Sequence, residues 1–487
     1  MKNLPLLAIA LLLILAPLSC INDTPTPAPE PEPCTDCPPP DDDPGDDDPG
    51  GNDPGGDDPG GDNPGGNDPG GDDPGGDDPG GDDPGGDNPG GNDPGGDDPG
   101  GDDPGGDDPG GDDPGEPQPL GDVSAIIETL GNPLRERYAD NTQWVFARNV
   151  WDMHAFAGKI YFGGGNSNNE PPAVNAGPAD LWALDPATRQ FTKEYTVNEE
   201  QIHLLRDFDD QLYIPGHDSR EGWNLGNFYR LTNGVWKKHR TVPLGIHVYD
   251  IYKWGGRLYA AIGPDGGRGI QVSDDDGTTW TGAFDYPSTT SRHYTLVPVG
   301  NELMANIYYL SSAYSVVFYC PEPGAKFVYS IDRELASRFA LGTLSATRME
   351  RAVVMNGTTV YVSARDDTDH QYVPLALARA RSRTDVSQVG LPAGALPRDL
   401  LVAGDWLLVL ISTPVTEGGF EVAVLATRDV DAANVEWLEL LRFTAPTFAR
   451  SFEYLDGAFY FGLGCEPADL ATATGDILTV PFEGLLP

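Results

Sequence analysis

From about Trp144 onward the chain is built of short runs rich in Val, Ile, Leu, Tyr and Phe, cut by Gly, Asp and Asn. That texture predicts strands and tight turns rather than long helices. One unit recurs: an apolar run, a tight polar or Gly turn, and a second apolar run. It appears at 155–162 around Gly158, at 204–214 around Asp209-Asp210, at 248–262 around Gly255-Gly256 and at 294–307 around Gly300-Asn301. It returns at 352–362 around Asn356-Gly357, at 400–411 around Gly404 and at 452–461 around Asp456-Gly457. The turns fall 45 to 56 residues apart. A period of roughly 40–50 residues, with room for four strands per unit, marks a β-propeller. The predicted class is therefore all-β, with seven blades over residues 144–487 and six or eight as the neighbouring counts. A β-sandwich also alternates short strands, but it gives no reason for hairpins at this interval. Residues 119–143 form a lead-in, where Asn132-Pro133 predicts a capped helical start for Leu134–Tyr138.

Ahead of this region the pattern is lost. Residues 41–115 are fifteen pentapeptides ending in Asp-Pro-Gly or Asn-Pro-Gly, with 27 Asp, 28 Gly, 15 Pro and no apolar side chain. Such a segment has nothing to bury and cannot offset the entropy of ordering its backbone. Residues 21–118 are predicted to be a disordered spacer. A Gly-rich coil of that length spans about 55 Å end to end, and Asp repulsion stretches it further. A calcium-folded β-roll needs an apolar residue in each turn, and this tract has none.

The very start is apolar again. Lys2 precedes a run from Leu4 to Leu18 that is short for a membrane span and fits a secretory signal. It ends in Ala16-Pro17-Leu18-Ser19-Cys20, which resembles the lipobox of bacterial lipoproteins. Pro17 stands where that family usually has Leu. The resemblance implies a signal peptide over 1–20, lipidation of Cys20 and attachment to a membrane through that lipid. Ile21 follows the cysteine in place of the Asp that retains such proteins at the inner membrane, so it implies the outer membrane.

The whole chain carries a formal net charge of −47, with 77 acidic and 30 basic side chains. More than half of the excess belongs to the repeat tract, and the remainder is only mildly acidic. Neither part offers the basic face that nucleic acid requires. Export implies an oxidising compartment for the cysteines. Cys34-Thr-Asp-Cys37 sits in a Pro-rich stretch and reads as a local disulfide or simple thiols rather than a metal site. Cys320 and Cys465 are free to pair or not.

Two motifs sharpen the propeller reading. Ser273-Asp274-Asp275-Asp276-Gly277-Thr278-Thr279-Trp280 matches the Asp-box at every fixed position. Ser273 and Asp275 are expected to hold the turn, Gly277 to take positive φ, and Trp280 to pack between blades. Ile160-Tyr161-Phe162 followed by Gly163-Gly164-Gly165, and then Leu181-Trp182 with Asp185-Pro186, is similar to kelch repeats. Asp-boxes occur in sialidases, other glycosidases and many non-catalytic propellers, on the rim away from the usual active face. They imply fold more than activity.

Candidate chemistry lies where the innermost strands begin. Asp152, His154, His203, His247 and His293 fall there in units one to four, and Arg348, Glu350, Arg351, Arg398 and Arg450 in units five to seven. Four histidines from separate blades are the donor set that holds iron in carotenoid oxygenases. Arg351, Arg398 and Arg450 have the residue types of a sialidase arginine triad, which clamps a carboxylate. Against both, such side chains also cap channels and bind strand ends. No metal or other cofactor is assigned. Trp223, Tyr249, Tyr252 and Trp254 fit either an aromatic platform for sugars or inter-blade core, and His217-Asp218 lies in a long loop. Phosphate loops, nucleophile elbows, zinc-protease helices and dinucleotide fingerprints are absent from the sequence. The expected role is a monomeric, non-catalytic binding module for a protein or glycan. The alternative is an exported glycan-acting hydrolase or lyase using the central pocket.

Overall fold

The computed structural model describes residues 116–485, apart from segments at 142–143, 169–174, 264–268, 284–290, 310–315, 331–332, 342–346 and 367–371. The candidate lipidation site Cys20, the signal segment, the repeat tract, Cys34 and Cys37 lie outside the described residues.

The described chain folds into seven antiparallel sheets, which form the blades of a β-propeller. The innermost strands are Met153–Phe156, Arg206–Phe208, His247–Trp254, Ser291–Val299, Thr347–Met355, Leu396–Ala403 and Ala449–Leu455. Each is joined to the next strand of its blade by a two-residue turn, and these are the seven turns visible in the sequence. Positive φ at both central residues in five of these turns, as at Asn356 (+50°) and Gly357 (+81°) or Asp456 (+51°) and Gly457 (+74°), and at the first residue in the other two, Gly300 and Gly404, gives the twist a hairpin needs. That requirement explains why Asn, Asp and Gly punctuate the repeat.

Packing follows the same period. Seven hydrophobic layers lie between neighbouring blades, one at each junction. One joins blades 2 and 3 through Tyr213, Phe228, Ile251 and Trp280. Another joins blades 6 and 7 through Leu408, Val424, Phe459 and Phe461. The layer between blades 7 and 1, with Tyr460, Ile477, Phe162 and Trp182, closes the ring. Burial of these apolar side chains is the main favourable term in such a fold.

The ring is also closed by backbone pairing. Glu128–Gly131 adds an outermost strand to blade 7 by pairing antiparallel with Ile477–Pro481, and Gly121–Asp122 pairs parallel with Leu438–Ala445 of blade 6. Residues 119–143 are thus more than a helical lead-in. They hold one 3-10 turn, Pro133–Glu136, with Pro at its start, and two strands that tie the N-terminal side of the ring to its last blades.

The glycine triplet of blade 1 has a packing cause. A Cβ on Gly163, Gly164 or Gly165 would fall 2.7 Å from Ile202, 2.6 Å from the Ala147 carbonyl or 2.4 Å from the Glu200 carbonyl. At the blade 3 rim, Ser273 Oγ accepts the Gly277 N–H at 2.8 Å, Asp275 accepts the Thr279 N–H at 2.7 Å, and Trp280 meets Phe228 edge to face. Gly277 has φ +83° and sits against Phe228, with no room for a side chain. Cys320 and Cys465 are both buried and unpaired, in different parts of the ring.

Candidate functional site

The seven inner hairpins share one register, so positions can be compared by counting back from the first turn residue. Six residues before it stand Trp151, His203, Tyr249, Tyr294, Glu350, Arg398 and Arg450. Five before it stand Asp152, Leu204, Asp250, Thr295, Arg351, Asp399 and Ser451. Three before it stand His154, Arg206, Tyr252, Val297, Val353, Leu401 and Glu453. The first set forms a collar where the inner strands begin. Apart from Asp250 and Ser451, the other two sets line a central cavity of about 470 Å³ to which every blade contributes.

A β-bulge sits in the inner strand of blades 3 to 7, and in blades 3, 4, 6 and 7 it falls on the collar residue: Tyr249, Tyr294, Arg398 and Arg450. An extra residue in one strand re-aims a side chain that regular alternation would place elsewhere. In blade 5 the bulge spans Arg351 and Ala352, and Arg351 has φ +53°. A non-glycine residue in that region costs on the order of 1–3 kcal/mol and has to be held by its surroundings.

What holds Arg351 is an ion pair across the axis. Its Nη1 donates to Asp152 Oδ1 at 2.6 Å, its Nη2 donates to the Trp151 carbonyl, and its Nε lies 4.0 Å from Asp399. The carboxylates it touches have second tasks. Asp152 Oδ2 accepts the Leu205 N–H of blade 2 at 2.7 Å, and Asp399 Oδ2 accepts the Phe452 N–H of blade 7 at 3.1 Å. Glu453 of blade 7 accepts the Ala155 N–H of blade 1. Asp250 of blade 3 accepts the Leu296 N–H of blade 4 at 2.8 Å, and both its oxygens accept from Arg206 of blade 2 at 2.7 and 2.8 Å. The axial charges therefore link consecutive blades.

Burial shapes their titration. Desolvation pushes the Glu453 carboxyl up to about 8, although the charge of His154 pulls it back. Asp399 is raised by burial too, against the pull of Arg351. His154 is raised although burial, the largest influence, opposes it: its 2.8 Å contact with Asp207 and the nearby charges of Glu453 and Asp152 prevail.

The four predicted histidines separate. His154 and His203 line the cavity, but His154 turns to Asp207. His293 is fully buried against Phe318, with ring centroids 5.0 Å apart. His247 stacks on Tyr249 at 5.2 Å and lies 3.3 Å from Asp218. Among the described residues no three His, Cys, Asp or Glu side chains are grouped to hold a metal ion. The three predicted arginines also separate. Arg398 donates to Ser412 Oγ at 2.7 Å and lies over Phe448 at 3.7 Å. Arg450 donates to Asn149, the Cys465 carbonyl and Glu466, and lies over Trp151 at 4.4 Å. Both are buried between blade ends, so the three guanidinium groups do not form one clamp.

A different cluster forms at the collar of blades 2 to 5. His203 and His217 have ring centroids 4.1 Å apart, His217 meets Tyr249 at 5.1 Å, and Tyr249 meets Tyr294 at 4.4 Å. Arg348 lies over Tyr294 at 3.6 Å, and Arg292 donates to the Tyr249 hydroxyl at 3.1 Å. Burial, then the charge of Arg351, push His203 down to about 3. His217 falls well below its ordinary value through burial and the neighbouring His203 and His247. Of the four aromatics considered as a sugar platform, Trp223 alone is largely exposed (57%), while Tyr249 is buried at 2%. His217 and Asp152 are singled out from the sequence, whereas Tyr294, Asp250, Asp399 and Glu453 emerge on aligning the hairpins on their turns.

No family model matches the sequence, and no curated protein matches it. Among solved structures, hydrazine synthase of Kuenenia stuttgartiensis is similar at 11% identity and TM-score 0.41, over 69% of this chain and 96% of that one. The β-propeller domain of the Trilobed protease from Pyrococcus furiosus is similar at 12% identity and TM-score 0.36, over 58% and 78%. The GH74 xyloglucanase from Xanthomonas campestris is similar at 11% identity and TM-score 0.39, over 65% of this chain and 51% of that one. At these values none of them bears on what the chain does.

Proposed function

We propose that this chain is an exported binding protein, anchored by lipid on Cys20 to the outer membrane of a bacterium. Residues 21–118 act as the spacer, and the propeller, as a monomer, presents a ligand face to a protein or glycan. The observation that carries the binding reading is the occupancy of the axial charges. Asp152, Asp250, Asp399 and Glu453 each accept a backbone N–H from the neighbouring blade, so the groups a hydrolase would use as acid or base are engaged in joining the ring. A cavity of about 470 Å³ remains, within the size range of small-ligand sites. The match of Ser273–Trp280 to the Asp-box fits a propeller of that broad group and assigns no reaction. The mild acidity of the head sets nucleic acid aside as a partner. A glycan-array screen and an envelope-protein pull-down with the purified chain test the reading; saturable binding in one supports it, and none in both overturns it. Palmitate labelling of wild type and Cys20→Ala tests the anchor, which requires label in the first and none in the second.

A second reading has one observation in its favour. Glu453, whose carboxyl keeps its proton up to about 8, and Asp152, paired with Arg351, line the same cavity. Two carboxyl groups in contrasting settings are what glycoside hydrolysis uses. Release of reducing sugar from exported polysaccharides, lost in Glu453→Gln, would establish the hydrolase and displace the binding-only role.

A further inference from the structure

The collar is split in chemistry. On blades 6 and 7 Arg398 and Arg450 lie over Phe448, Arg450 also over Trp151 of blade 1, and the two arginines spend donors on Ser412, Asn149, Glu466 and the Cys465 carbonyl. Trp151 itself donates to the Gly165 carbonyl at 2.9 Å. On blades 2 to 5, Arg348 and Arg292 lie near two imidazoles, with Asp218, its neighbour Glu200 and Glu350 as the acids beside them, while Arg351 is spent on Asp152. Glu350 is 3.9 Å from Arg348, and Asp218 is turned to His247 at 3.3 Å.

Within this half, Nδ1 of His203 and Nδ1 of His217 are buried and have no hydrogen-bond partner. A buried polar atom of this kind calls for an occupant, because leaving it unsatisfied costs about 1–3 kcal/mol. His217 uses Nε2 toward Ser167 Oγ at 3.0 Å; with Nε2 accepting the hydroxyl proton, Nδ1 carries the N–H and is the atom left to face a ligand. Both imidazoles are held in the neutral form chiefly by burial, with the charges of nearby arginines adding to it. His203, His217, Tyr294 and Arg348 all line the cavity. Arginine presents a planar fork suited to carboxylate and phosphate oxygens, and imidazole N–H groups complete such a shell.

We propose that the collar of blades 2 to 5 is an oxyanion subsite, in which Arg348, His203 and His217 receive the carboxylate or phosphate of a sugar-sized ligand entering the central cavity. The proposal rests on the binding reading above and narrows it to anionic ligands. The phosphate and the carboxylate share the chemistry, and the experiment separates them.

The purified full chain is titrated with D-glucuronate, D-glucose 6-phosphate and D-glucose, following heat release and the midpoint of thermal unfolding. One or both anionic sugars are expected to bind and raise the midpoint, with glucose at least tenfold weaker. Arg348→Met is expected to weaken the anionic sugars at least tenfold, and Arg348→Lys to restore part of the loss. Arg450→Met removes an equal charge from the other half of the collar, and a sub-twofold effect on affinity is expected there. Unfolding curves without ligand identify any variant that fails to fold; Arg348→Lys then stands in for Arg348→Met. Equal binding of glucose and the anionic sugars, undiminished binding in the Arg348 variants, or no binding of either anion would overturn the subsite. Neutral glycans binding on the array while both anions fail would leave the binding role standing and remove this proposal alone.

Discussion

The collar residues of blades 6, 7 and 1 and those of blades 2 to 4 occupy the same register, yet they do opposite things. Arg398, Arg450 and Trp151 are tied by hydrogen bonds and stacking into the place where the ring closes. His203, Tyr249 and Tyr294 stack with His217 and Arg348 around the cavity mouth, where imidazole nitrogens lack partners. The contrast teaches that a charged side chain at a propeller axis is not by itself a sign of function. What separates the two regions is that at the mouth Nδ1 of His203 and Nδ1 of His217 are left without a hydrogen bond.

The sharpest way to break this comparison is to remove the axial cation of blade 5 whose partners, Asp152 of blade 1 and Asp399 of blade 6, lie on the closure side. Arg351→Met leaves Asp152 and Asp399 buried without their cation, and loss of one partner of a buried pair costs about 3–5 kcal/mol. Denaturant unfolding measures it. The equivalent change at the mouth, His203→Gln, removes a ring packed on His217 but no ion pair, and is expected to cost less, about 1 kcal/mol. Equal losses would erase the distinction between the regions.

The second effect is a pH slope. Glu453 is raised in the folded protein from 4.5 to about 8, so the folded state holds a proton that the unfolded chain releases. Its contribution is complete below about 4.5 and is lost as pH rises toward about 8, by at most about 1.4 kcal/mol per pH unit. His154, also raised, acts in the same direction. Glu453→Gln keeps an acceptor for the Ala155 N–H and is expected to flatten the slope in stability measured between pH 5 and pH 8. An unchanged slope would mean that the closure side does not titrate as described.

A smaller effect lies at the rim of blade 3, in the Ser273–Trp280 turn. Ser273→Ala removes the acceptor for the buried Gly277 N–H and is expected to cost about 1–2 kcal/mol, read from unfolding midpoints. Loss of more than the Arg351 variant loses would invert the ranking of rim and axis.

Much of the fold was legible because its signals are local. The seven hairpin turns are two-residue loops whose positive φ selects Asn, Asp and Gly, so spacing alone counted the blades. The closing strand Glu128–Gly131 was not legible, since its four residues have no alternating pattern and gain meaning only beside Ile477–Pro481, far along the chain. The bulges were hidden for the same reason: an extra residue exists only relative to a paired strand. That is why His293, one residue before the bulged Tyr294, packs against Phe318 while Tyr294 lines the cavity. The arginines failed as a triad because residue type does not reveal prior partners such as Asn149 and Glu466. Cys320 and Cys465 carry no sequence signal of pairing, and burial in separate clusters keeps them apart.

The most direct test compares Arg351→Lys with Arg348→Lys in one experiment, unfolding each variant with and without saturating anionic sugar. The account predicts that Arg351→Lys lowers intrinsic stability but keeps the ligand-induced rise in midpoint. It predicts that Arg348→Lys keeps intrinsic stability and loses most of that rise. The opposite pattern, with Arg351 governing the ligand response and Arg348 the stability, would contradict it.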